Sequence, residues 1–257
     1  MTIRMNQEVG DPYRSRSQLA RVITERWVSE NLFCPRCGNP RITQFENNRP
    51  VADFYCPVCG SQYELKSKNG RTLDLVMDGA FDTMIARITS LENPDFLFLS
   101  YARTDWSVRN LFFVPKHFFT PSIIVKRKPL APGSRRAGWI GCNILLRDVP
   151  ATGRIPIIEN GAVCSSEEVR RRVAAADSLY MEDLSARGWL FDVLCCVESF
   201  GPRSFTLSEL YAFEEKLAVL HPENHNIRPK IRQQLQILRD RGILEFQARG
   251  IYRRMLP

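Results

Sequence analysis

No stretch of this 257-residue chain combines the length and apolarity of a membrane span, and its first 17 residues, MTIRMNQEVGDPYRSRS, carry charges without a leader's apolar run. The expectation is a soluble, cytoplasmic protein. Internal repeats and low-complexity tracts are missing too, which sets aside solenoids and arrays. Hydrophobic residues make up 44% of the chain, enough to bury a core for one or two domains and to exclude wholesale disorder. Acids are scarce: 28 Asp and Glu face 36 Lys and Arg, a formal charge of +8 that favours a polyanionic partner over a small acidic metabolite. The imbalance is local. Lys126–Trp139 holds five basic residues and no acid, and His225–Pro257 holds eight against two. Charge concentrated in this way suits a phosphate backbone.

Eight cysteines without a secretion leader argue against a disulfide framework. Four of them form a pattern, Cys34-x2-Cys37 and Cys56-x2-Cys59, with 18 residues between the pairs. That spacing is typical of a closed, structural four-thiolate zinc site. Each pair reads as a knuckle, CPRCG and CPVCG, whose final glycine permits a tight turn aiming backbone amides at sulfur. Cys142, Cys164, Cys195 and Cys196 lack such spacing, and their apolar neighbours point to core positions.

The periodicity predicts a helix over Gln18–Leu32, short strands at Val51–Tyr55 and Gln62–Lys66, a helix over Met77–Leu91, and strands at Phe96–Tyr101, Asn110–Val114 and Arg154–Glu159. An Asn160-Gly161 turn and a helix opened by Ser165-x-x-Glu168 follow. The first 180 residues or so thus mix α and β. Beyond them the pattern changes to helices at Trp189–Val197, Thr206–Leu220 and Ile227–Arg241, the last closed by Gly242, and then a hairpin of Ile243–Phe246 with Ile251–Arg253. Three helices and a basic hairpin outline a winged helix, whose third helix can enter a major groove. Here that helix carries Arg228, Lys230, Arg232, Gln233, Gln234 and Gln236, donors suited to phosphates and base edges. The fold class is therefore α+β, with expected domains at residues 1–183 and 184–257. A winged helix that touches only protein is the alternative at this point.

Period two puts Gln62, Glu64 and Lys66 on one face of their strand. With Asp53 on the preceding strand, two carboxylates and a lysine form a set able to hydrolyse phosphodiesters with a divalent ion. Asp53 and Glu64 would hold Mg²⁺, a hard cation that prefers oxygen ligands, and Lys66 would orient the attacking water or stabilise charge. Taken alone, Asp-x10-Glu-x-Lys is unspecific, because surface strands often carry Glu-x-Lys for charge pairing. The second knuckle falls inside this motif. If the loop Cys56–Gly60 joins the two strands, a zinc clamp from Cys34 and Cys37 would fix the separation of the carboxylates.

The strings FENNRPVADFYC, ELKSK, NPDFLFLSY, KRKPLAPGSRRAGWIGCNI and IRQQLQILRD resemble the DpnI-like family of methyl-directed restriction endonucleases, over nearly the whole chain. The resemblance implies a PD-(D/E)xK catalytic domain with a zinc-binding insertion and a C-terminal winged helix. It also implies cleavage of double-stranded DNA at GATC carrying N6-methyladenine, with no obligate protein partner expected. The family's catalytic positions fall on Asp53, Glu64 and Lys66, and its zinc ligands on Cys34, Cys37, Cys56 and Cys59. Ala52 stands where the motif's name places proline. Lys126, Arg127, Lys128, Arg135, Arg136 and Trp139 form a second candidate DNA surface, Trp139 either contacting DNA or anchoring its loop. The competing readings are a non-catalytic DNA-binding regulator and a nuclease with different or no methyl specificity.

Overall fold

Arg16–Asn31 forms α1 because apolar side chains recur around the helix, and Ile23, Trp27 and Val28 are buried. The computed structural model describes residues 1–46, 52–90 and 93–255. After α1 come β1 (Thr43–Gln44), β2 (Phe54–Tyr55), β3 (Gln62–Asn69), β4 (Val76–Ala80), α2 (Phe81–Ile88), β5 (Asp95–Ala102) and β6 (Ser107–Val114). The chain continues through β7 (Ile124–Lys126), β8 (Gly141–Ile144), β9 (Ile155–Glu159), β10 (Ala162–Val163) and α3 (Ser166–Asp177). Val51 and Leu91, ends of an expected strand and helix, lie outside the described residues.

Seven strands pair in the order β1-β2-β3-β5-β6-β9-β10. β5 runs at its centre, and its residues from Asp95 to Tyr101 are all buried, as an apolar run covered on both faces requires. β3 lies parallel to β5, with Tyr63 opposite Asp95 and Lys66 opposite Phe98, so the chain must cross over between them. That crossover holds β4 and α2.

Here the expected helix over Met77–Leu91 is corrected. Val76–Ala80 is a strand, paired with β8 through Val76↔Ile144 and Asp78↔Cys142, and the helix begins only at Phe81. Gly79 disfavours a helix, and a neighbouring strand supplies hydrogen bonds that local periodicity does not reveal. β4, β8 and β7 form a small second sheet in that order. The Asn160-Gly161 turn closes β9 and β10, with φ of 50° and 80° and Glu159 facing Ala162, as a type I′ hairpin requires. Ser165 caps α3 by accepting the Glu168 N–H, but the Glu168 carboxylate turns to Arg171 and Arg172, leaving only half of the expected capping box.

From residue 184 the chain is mainly helical: α4 (Leu184–Glu198), β11 (Phe205–Thr206), α5 (Leu207–Tyr211), α6 (Glu214–Leu220), α7 (Ile227–Asp240), β12 (Leu244–Ala248) and β13 (Ile251–Arg254). The Thr206–Glu209 capping box is complete. The helix expected to run on to Leu220 breaks at Phe213, whose ring packs edge-on against Phe200 at 5.8 Å. β11 joins the hairpin in the order β11-β13-β12, a strand too short for its own sequence signal. The hydrophobic core continues across residue 184, where Phe118 stacks on Phe191 with centroids 4.4 Å apart. Cys142 and Cys196 are buried within it, while Cys164 and Cys195 are only partly covered. No described helix is long and apolar enough to cross a membrane.

Candidate active site

β2 and β3 pair antiparallel with Phe54 opposite Tyr63 and Tyr55 opposite Gln62. The paired register ends with Phe54 and Tyr63, short of Asp53 and Glu64. The strands part there: Asp53 N–H still donates to Tyr63 O at 2.9 Å, and Leu65 N–H donates to Asp53 Oδ2 at 2.7 Å. The Asp53 carboxylate is thereby held at the Glu64–Leu65 peptide, and its Oδ1 has no hydrogen bond among the described residues.

Lys66 Nζ lies 2.6 Å from Glu64 Oε1 and also donates to Asp78 Oδ1 of β4. Glu64 Oε2 lies 2.6 Å from Arg87 Nη1 on α2, a charge contact without hydrogen-bond alignment, so that buried oxygen is left without a donor among the described residues. Burial is the largest influence on Glu64 and raises its carboxyl above the usual range, although Lys66 and Arg87 pull the other way. Burial works against the charge on Lys66, but Glu64 and Asp78 together outweigh it and raise its pKa. Glu25 of α1 brings a further carboxylate towards Asp53. It is 7% exposed, accepts from Arg21 Nε at 2.6 Å and Gln44 Nε2 at 2.9 Å, and burial raises its carboxyl, with Asp53 adding to the rise. Asp78, Arg87 and Glu25 were not singled out from the sequence, since none stands in a local pattern with Glu64 and Lys66. Two partly unsatisfied carboxylates, with a lysine between acids, fit a hard divalent cation.

The four cysteines meet as their spacing predicts. Cys34 Sγ lies 3.6 Å from Cys59 Sγ, and Cys37 Sγ 3.6 Å from Cys56 Sγ, while all four sulfurs fall within 4.8 Å of one another. Tetrahedral zinc thiolates place sulfurs about 3.8 Å apart, so the residues fit that ion. The knuckles repeat one design: Gly38 N–H donates to Cys34 O and Gly60 N–H to Cys56 O, both at 2.9 Å, with glycine φ of 79° and 73°. Burial pushes the Cys34 thiol up to about 12, so four thiolates this close need a cation to share their charge.

The cluster is tied to the carboxylate strands. The Cys56–Cys59 knuckle is the β2–β3 loop, and Tyr63, next to Glu64, places its hydroxyl 2.9 Å from Cys34 Sγ. Arg36, inside the first knuckle, donates to both oxygens of Asp95 at 2.5 and 2.9 Å and to Asp177 at 2.8 Å. Asp95 also accepts the Lys116 N–H. The knuckle is thus fastened to β3, to β5 and to α3. Sequence reading missed Arg36 and Asp95, because the pairing joins residues remote in the chain.

The basic stretch after β7 is the β7–β8 hairpin loop. Lys126, Lys128, Arg135 and Arg136 are exposed and Arg127 is half-buried. This hairpin springs from the sheet that carries Asp78, because β8 pairs with β4. Trp139 is half-buried, with Arg136 over its ring at 4.7 Å and its ring edge against Gly141, where an added Cβ would lie 2.9 Å from it. The ring therefore packs within its own loop. On α7, Arg228, Arg232, Gln233 and Gln236 are exposed and Lys230 is half-buried. Gln234 is corrected: at 1% exposure it lies on the buried stripe with Ile231, Leu235 and Leu238 and cannot reach a groove.

Comparison with protein-family models finds matches over both parts of the chain. The Dam-replacing family matches residues 1–182, and the Dam-replacing helix-turn-helix domain matches residues 185–254. The chain therefore belongs to the Dam-replacing family, the family of DpnI-like methyl-directed restriction enzymes, and ends in that family's helix-turn-helix DNA-binding domain.

Proposed function

We propose that the protein is a Mg²⁺-dependent type II restriction endonuclease of the PD-(D/E)xK kind, cutting double-stranded DNA at GATC that carries N6-methyladenine. We place its catalytic domain at residues 1–183, its winged helix at 184–257, and its work in the cytoplasm. One observation carries the reading. The Asp53 carboxylate accepts the N–H of Leu65, the residue between Glu64 and Lys66, and Lys66 is bound to Glu64 and to Asp78 beside the basic hairpin. Family membership supports methyl dependence, and the exposed donors of α7 and of the β7–β8 loop supply two surfaces for a phosphate backbone.

In this reading Asp53 and Glu64 would hold Mg²⁺. When bound, that ion lowers the pKa of a coordinated water and neutralises charge on the phosphorane-like transition state. The remaining work belongs to the chain. Lys66, fixed between Glu64 and Asp78, orients the water and balances charge as the water oxygen bonds to phosphorus and a P–O bond breaks. The products are a phosphomonoester end and a hydroxyl end. Arg87 holds the Glu64 side chain in place. Zinc, closed by four thiolates, fixes the β2–β3 hairpin and offers no open position for water.

The test is digestion of one plasmid, prepared with and without adenine methylation at GATC, in Mg²⁺. Discrete fragments from the methylated plasmid alone are expected. Asp53→Asn and Lys66→Met should each slow cleavage about 10²–10³-fold or more while DNA binding persists. Equal cutting of both plasmids would remove the methyl specificity. Binding without cutting would make the protein a regulator.

A further inference from the structure

Away from the carboxylates, a cleft of about 410 Å³ opens between the large sheet and the winged-helix segment, lined by Arg154, Arg172 and Arg254 over an apolar floor that includes Phe112 and Ile155. The three arginines come from separate elements. Arg154 follows a short 3-10 helix, Ala151–Gly153, Arg172 stands on α3, and Arg254 ends β13 of the wing. The Nε atoms of Arg154 and Arg254 are both buried and have no hydrogen-bond partner among the described residues. Buried donors are almost always satisfied, and two guanidinium groups with an unused donor lining one cleft suit an acceptor that enters it. Arg172 keeps one nitrogen on Glu168 at 2.6 Å. Glu159, the acid in the lining, is exposed and pairs with none of the three among the described residues.

The walls are held at a set spacing. Glu198 of α4 accepts from Ala151 N–H at 2.5 Å and from Thr152 N–H and Oγ1 at 2.9 and 2.7 Å, fastening the turn before Arg154 to the helical segment. A tetrahedral oxyanion can accept from several guanidinium forks at once, whereas a single carboxylate has two oxygens to offer. We propose that this cleft is a phosphate-binding site, separate from the cleavage site, that bridges the nuclease body and the wing.

The occupant is a phosphate group, either of the DNA backbone or of a small phosphorylated compound. With inorganic phosphate as the probe, ³¹P NMR should show line broadening by the wild-type protein. Binding should weaken about tenfold in Arg154→Gln and in Arg254→Gln, and stay unchanged in Arg26→Gln, an exposed arginine of α1 outside the cleft lining. Phenylglyoxal modification mapped by mass spectrometry needs no variant. Phosphate should protect Arg154 and Arg254 and leave Arg26 reactive. A DNA duplex that displaces the phosphate, with a log–log salt slope of DNA binding smaller by about 1 in each cleft variant, identifies the backbone as the source. Phosphate that stays bound beside the duplex identifies a small compound. Broadening that is the same in all proteins, or modification that phosphate does not slow at Arg154 and Arg254, overturns the site. Each of these results stands apart from whether Asp53 and Lys66 cleave DNA.

Discussion

His117 sits 5% exposed among Phe118, Tyr180 and Phe191, with Nε2–H donating to Ala176 O at 3.1 Å. Burial lowers its pKa from the usual 6.5 to about 4. The unfolded chain therefore takes up this proton first as pH falls. The stability contribution is complete above about 6.5 and is lost on going down towards 4, by on the order of 3 kcal/mol. Urea unfolding between pH 7 and 4 should show His117→Gln, which keeps a donor for Ala176, losing less stability than the wild type by about that amount. Equal losses would rule out the assignment. Gln234 is a second residue whose environment decides its role. Its Oε1 is buried without a partner among the described residues, so Gln234→Leu should raise stability by about 1 kcal/mol in urea and leave DNA affinity unchanged. Its place on the stripe three residues after Ile231 and four before Leu238 was legible in the sequence, but its polarity masked it.

At the scale of elements, the β2–β3 hairpin shows how far pattern carries. Period two alone put Glu64 and Lys66 on one face, and Cys-x2-Cys spacing alone brought four sulfurs together, because both rules act over a few residues. The helix expected from Met77 failed because strand β4 exists only through its pairing with β8. Asp78, which binds Lys66, was hidden with it. The anchoring of the knuckle was equally hidden, since Arg36 meets Asp95 and Asp177 only in the folded chain. Arg36→Ala leaves two acids without their cation, and stability should drop by about 3–5 kcal/mol in denaturant titrations. Cys56→Ser, or removal of zinc by a chelator, should unfold the hairpin and abolish cleavage, with zinc content and circular dichroism as the readouts. A zinc-free protein that stays folded and active would dismiss the clamp.

At the scale of the whole molecule, the two segments share one core, and Glu198 and Arg241 cross between them. Arg241 donates to Ser178 O and Tyr180 O at 2.6 and 3.1 Å, on the connection between α3 and α4. Glu198→Ala removes a charged acceptor from three donors and should cost about 2–3 kcal/mol, with faster proteolysis of the Ser178–Asp183 connection. An unchanged digestion pattern would mean that the segments are held by the core alone. The sequence by itself determined the mixed α and β class, the change to a helical C-terminal part, the four-cysteine cluster and the placing of Glu64 and Lys66 on one strand. Those follow from hydrophobic periodicity and from ligand spacing, which are properties of neighbours along the chain. Tertiary structure alone decided that Asp78 and Arg87 join Glu64 and Lys66, that Trp139 packs against Gly141, and that three distant arginines face one cleft. The physical reason is that strand pairing and charge partnership are settled by which surfaces meet when the core closes, and no local rule encodes that meeting.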